Sequence, residues 1–172
     1  MKTPIINSGA IAGIVAGLGY IVQSIMGLIK PQTEIFSGIS DYILEVIFII
    51  ALIATIFAFM RLHAFSEASY GKGGAIGYWS ALSGTSLITI SALATLFAGQ
   101  NSLGSIFLAG LLLSLVGYIL LGIASLRSKS LPLWGSLALI FGFPLSVFLS
   151  SFGGGIVFGL TWLGIGYYLK TH

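Results

Sequence analysis

A chain of 172 residues with 57% hydrophobic and only 6% charged side chains lacks the polar surface of a soluble domain, which carries about 25% charged residues. Cysteine is absent, which excludes disulfides, thiolate nucleophiles and cysteine-ligated metals or clusters. The net charge of +3 comes from seven basic residues spread along the chain, so they form no patch for nucleic acid.

From Gly73 to Leu126, and again from Ser130 to Leu169, there is no Asp, Glu, Lys or Arg. One crossing of a bilayer takes about 20 apolar residues, so each tract is long enough for two. The expected fold class is all-α: a polytopic integral membrane protein, a bundle of six transmembrane helices with short loops, forming one transmembrane domain over 1–172. The first span covers 5–29. It follows Lys2 as a signal peptide would, but it is longer than an h-region and no A-x-A site follows, so it reads as a retained helix. The second span is 42–60, with Glu45 its only charge. Spans 74–98 and 103–126 meet at the turn-forming Gly99-Gln100-Asn101-Ser102. Spans 131–150 and 155–169 flank Ser151-Phe152-Gly153-Gly154. Pro144 interrupts the fifth span and the sixth is short, so a five-span arrangement with a re-entrant segment stays open.

Charge placement orients the bundle. With six spans, Lys2, Arg61, Lys72, Arg127, Lys129 and Lys170 fall on one side and only Lys30 on the other. The positive-inside bias then puts both termini in the cytoplasm of a cell with this chain in its inner membrane. Trp79, Trp134, Tyr167 and Tyr168 suit an aromatic belt on the same side. The connection carrying Arg61, His63, Glu67 and Lys72 reads as a flexible hairpin near anionic headgroups. His63 and His172 make no metal pair, and no metal or cofactor is expected.

Glycine, at 24 residues, is in excess. Gly9, Gly13 and Gly17 on the first helix, Gly77 and Gly84 on the third, and Gly155 and Gly159 on the last offer small surfaces on which helix backbones approach closely. These seams suit packing within the chain, a second copy, or another membrane protein; membrane lipids are the remaining expected partner. Tyr20, Tyr118 and Trp162 sit away from the belts, as core filling or as the lining of an apolar ligand pocket.

Glu45 is the sharpest single residue, because an ionisable group within a span is costly. Asp41 lies one turn earlier on the same face, and Gln23 falls at similar depth on the first helix. With Glu34 they form a candidate outer cluster for a cation or a proton. The plainer reading has Ser40 or Asp41 capping the helix and Glu45 meeting its N-terminal dipole or Lys30. Pro144 removes a backbone donor and marks a candidate helix break, as in transporters. No nucleophile elbow or phosphate loop occurs, so no catalytic residue is assigned. The composition favours a binding, accessory or regulatory membrane component. The alternatives are a small oligomeric transporter or channel using the outer carboxylates and, least supported, a membrane-embedded enzyme.

The segments Ser40-Asp41-Tyr42-Ile43-Leu44-Glu45, Leu131-Pro132-Leu133-Trp134-Gly135 and Gly153 through Trp162 together resemble those of short multi-span bacterial inner-membrane proteins of uncharacterised function. The resemblance implies a helical inner-membrane protein and carries over no activity, cofactor or site.

Overall fold

The computed structural model describes residues 4–30 and 35–172, with side chains from Ser8 onward. The described residues are helical almost throughout: α1 (Pro4–Ile29), α2 (Ile39–Ala98), α3 (Gly104–Ser128), α4 (Leu133–Phe148), a 3-10 turn at Ser150–Phe152, and α5 (Gly154–Thr171). Among them, three helices are long and apolar enough to cross a membrane, over Ser8–Ile29, Ile39–Ala98 and Gly104–Ser128. α4 is a shorter apolar helix.

The 60 residues of α2 do not form one rod. Gly71 adopts φ +61° and ψ −163°, a conformation that is essentially restricted to glycine. There the chain doubles back into two antiparallel arms, residues 39–70 and 72–98. Pairs that are roughly equidistant from the fold come together. His63 stacks on Tyr78 with ring centroids 4.0 Å apart, and the Phe36 amide donates to the Gly99 carbonyl at 2.9 Å. Leu52 and Ile88 line one cavity, whereas a straight helix would hold them about 54 Å apart. The sequence suggests a flexible connection after Met60, but the helix continues to Tyr70 and a single glycine makes the turn. The charges Arg61 and Glu67 mark a change of surroundings without ending the helix. Tyr70 bonds His63 and packs over Gly74, where a Cβ would collide with its ring.

The helices close into a ring through small-residue contacts. A Cβ at Gly19 of α1 would stand 2.8 Å from Ala51 Cβ in the first arm of α2, and one at Gly77 in the second arm 2.5 Å from Leu121 N of α3. Gly122 of α3 similarly faces Ile140 of α4, and Gly142 of α4 faces Thr161 of α5. The circuit closes where α5 meets α1: a Cβ at Gly13 would lie 3.0 Å from Gly166 Cα, and one at Gly159 2.6 Å from the Gly17 carbonyl oxygen. Of the other seam residues, Gly9 faces Arg61, Gly84 faces Ser114 and Gly155 faces Ser24. All seven candidate packing glycines are therefore occupied by contacts within one chain.

The two ends of the ring are distinct. One carries Gly99, Gly153 and Lys30; the other carries the Gly71 fold and the α3–α4 turn at Lys129, whose φ is +55°. The perimeter is apolar, with Ile11, Leu18, Ile50, Phe57, Leu112 and Val116 among its exposed side chains.

Candidate functional site

The interior of the ring is filled at mid-height by aromatic side chains from four helices. Phe59 of α2 meets Tyr118 of α3 and Trp162 of α5, each at 5.0 Å between centroids. Tyr118 stacks flat on Phe143 of α4 at 4.7 Å, and Phe158 of α5 packs against both. The buried polar atoms of this layer are paired. Trp162 Nε1 donates to the Tyr118 hydroxyl at 3.3 Å. Thr55 donates to the Ala51 carbonyl at 2.8 Å, which leaves its oxygen to accept from the Tyr20 hydroxyl at 3.1 Å.

Above this layer, toward the Gly99 end, the ring holds an open-sided cavity of about 620 Å³. Every helix contributes to it. Its floor and walls are Tyr20, Phe48, Leu52, Ile88, Phe107, Leu111, Phe143 and Phe158. Polar groups enter from two sides: Gln23 and Ser24 of α1, and Ser146 with the exposed Ser150 and Ser151 beyond α4. Ser146 already donates to the Phe143 carbonyl at 2.7 Å. Gly27 also lines the wall, and a Cβ there would meet nothing within 4 Å. This chamber has the size and the mostly apolar lining of a small-molecule site; we call it the vestibule.

The sequence-derived candidates fall at different places around it. Gln23 is in the wall. Glu45 is buried, at 8% exposure, and shares a helical face with Phe48 and Leu52, one turn nearer the Gly99 end. Among the described residues no hydrogen bond or ion pair reaches its carboxylate. Asp41, 2% exposed, is committed to the start of α2. Its Oδ2 accepts from Ser37 N at 2.7 Å, Ser37 Oγ at 3.0 Å and Gly38 N at 3.2 Å, and its Oδ1 pairs with Lys30 Nζ at 3.2 Å. The carboxylate thereby satisfies the Ser37 and Gly38 amides just before the helix and fixes the chain's entry into it. Lys30 also bonds Ser40. Glu34 lies outside the described residues, as does Lys2.

α4 runs through Pro144 and ends at Phe148, followed by the 3-10 turn and the left-handed Gly153 at φ +85°. Tyr20 lines the vestibule, whereas Tyr118 and Trp162 belong to the layer beneath it. Among the described residues no group of three or more His, Cys, Asp or Glu is positioned to hold a metal. The vestibule itself has no motif in sequence, because its lining is drawn one or two residues at a time from the whole chain. No protein-family model, curated protein or solved structure matches this chain.

Proposed function

We propose that the chain is a six-crossing helical protein of the cell membrane that binds an amphipathic small molecule or lipid in the vestibule, from the outer side. The two arms of α2 are each longer than the roughly 20 residues a crossing needs, so α2 supplies two of the six. Arg61, Lys72, Arg127, Lys129 and Lys170 belong to the Gly71 end and Lys30 to the other. That asymmetry supports a cytoplasmic Gly71 end with both termini beside it. The observation that carries the binding reading is the vestibule. Its aromatic and aliphatic wall suits an acyl or ring body, while Gln23, Ser24 and Ser150 suit an uncharged or zwitterionic head. The reading puts the chain in the binding or accessory class and invokes no enzymatic step, cofactor or metal. Because the glycine seams are used internally, a second copy or another membrane protein would meet the apolar perimeter, otherwise covered by lipid.

Native mass spectrometry from mild detergent tests this reading. The wild type is expected to retain a bound amphiphile, and Gly27→Leu, which adds a large side chain at a lining residue whose Cβ meets no neighbour, to lose at least about ten-fold in occupancy, the factor that 1.4 kcal/mol represents. Equal occupancy in both, or no adduct across several detergents, overturns it.

A transporter or channel is the second reading. It is favoured by the closed ring together with a buried Glu45 beside the vestibule, unpaired among the described residues. In that case Glu45→Gln abolishes ion- or proton-coupled flux in liposomes with the fold intact. Undiminished flux in the variant removes Glu45 from any such mechanism.

A further inference from the structure

Below the vestibule the interior of the ring is stratified at the spacing of helical turns. Phe59, Tyr118 and Phe143 belong to the aromatic layer. Three or four residues further toward the Gly71 end stand Leu62, Leu121 and Leu139, joined by Ile165 of α5, all at 0% exposure. Seven residues from the aromatics stand Ser66, Ser125 and Ser136, again at 0% exposure. α4 runs opposite to α3, so the count rises along α2 and α3 and falls along α4. Two helical turns separate side chains on one face by about 10 Å. The three serines therefore face the interior at a common level, beyond an aliphatic layer that parts them from the vestibule.

Their hydroxyls, like that of Ser114 on the vestibule side of the aromatic layer, differ from those of the buried threonines. Thr55, Thr89 and Thr161 donate to carbonyls one turn back in their own helices at 2.8–3.0 Å. Among the described residues the hydroxyls of Ser66, Ser125 and Ser136 are buried and have no hydrogen-bond partner. Ser130, in the turn after α3, adds a fourth buried and unpartnered hydroxyl, and its amide donates to the Ser125 carbonyl at 3.2 Å. Buried polar groups are almost always bonded, to protein or to ordered water, and a cluster of unpaired hydroxyls is a place where water completes the bonding.

We propose that Ser66, Ser125 and Ser136 line a hydrated site at the Gly71 end of the bundle axis, whose ligand is water. A hydroxyl both donates and accepts, which matches water. The site is independent of what occupies the vestibule. The bundle is then wet at both ends and dry only across the aromatic and aliphatic layers between.

The absence of native cysteine makes the test clean. Ser125→Cys and Ser136→Cys are near-isosteric, and Val116→Cys, at a perimeter position 52% exposed on the face proposed to meet lipid, serves as reference. The cysteine thiolate attacks the thiol-side sulfur of aminoethyl methanethiosulfonate, forming a mixed disulfide and releasing methanesulfinate, and the thiolate forms only where water solvates the charge. With each variant eluting as wild type, intact-mass measurement is expected to show labelling at one or both serine positions at least ten-fold faster than at Val116→Cys, a factor equal to 1.4 kcal/mol. Labelling at both serine positions no faster than the reference overturns the proposal and makes the layer dry, its hydroxyls turned onto their own helices.

Discussion

Gly17→Ala and Gly27→Ala place the same methyl group on α1, ten residues apart and about 80° around the helix, and the ring architecture requires opposite effects. At Gly17 the new Cβ would stand 2.5 Å from the Gly159 carbonyl oxygen and 2.7 Å from the Leu163 amide nitrogen. Both are backbone atoms and cannot rotate away. Ordinary contact begins at 3.4 Å, so α5 must retreat by about 1 Å, a gap that forfeits a quarter to a half of each dispersion contact along the seam. Overpacking of this kind costs about 1–3 kcal/mol. At Gly27 the methyl meets nothing within 4 Å, and replacing glycine by alanine in a helix gains about 0.5–1 kcal/mol. The two variants should therefore lie about 1.5–4 kcal/mol apart, on either side of wild type. Unfolding in mixed micelles, followed by far-ultraviolet circular dichroism, measures the difference. A Gly17→Ala protein as stable as wild type, or two shifts of the same sign, would refute the α1–α5 closure of the ring.

Three further outcomes follow from the same geometry. Gly71→Ala meets no steric neighbour but forces a side chain into a glycine-only conformation, so it should lose about 1–3 kcal/mol in the same unfolding assay; no loss would mean that the α2 fold does not depend on that backbone angle. Asp41→Ala removes the acceptor of three local donors and the partner of Lys30, and should cost about 0.5–2 kcal/mol, whereas a neutral result would free Asp41 for a role in binding. In intact cells, single cysteines at the exposed Gln100 and Ser69 should be labelled from outside and from the cytoplasm respectively, and the reverse pattern would invert the orientation.

Much of the helical layout is legible in the chain because its breaks use turn chemistry. Gly99-Gln100-Asn101-Ser102 separates α2 from α3, and Ser151-Phe152-Gly153-Gly154 separates α4 from α5, with Gly99 and Gly153 both left-handed. The fold at Gly71 is less legible, since Arg61, His63, Glu67 and Lys72 read as a connection while the residues between them remain good helix formers. Charge reports the surroundings of a segment, and hydrogen bonding decides where a helix stops. Gln23 was reachable by counting residues from Lys30, because depth in a straight helix is arithmetic. The role of Asp41 as the acceptor at the start of α2 was one of two readings of an acid in the first turn, and its bonds to the Ser37 and Gly38 amides fit that reading. The vestibule was not legible. Tyr20, Leu52, Ile88, Phe107 and Phe143 are ordinary apolar residues, and only the order of helices around the ring brings them to one chamber. The serine layer is hidden for the same reason, since its seven-residue offset has meaning only once the aromatic layer is known.

Under the proposed function an amphiphile enters the vestibule and rests on the aromatic layer. Trp162 lies in that layer, fully buried, and the other two tryptophans, Trp79 and Trp134, are on the perimeter at 58% and 48% exposure. In a Trp79→Phe, Trp134→Phe background, a brominated single-chain amphiphile added to the protein in unbrominated detergent should quench Trp162 saturably, and Gly27→Leu should remove the saturable component. Quenching that stays linear in both proteins, or that saturates equally with Gly27→Leu, would contradict the account.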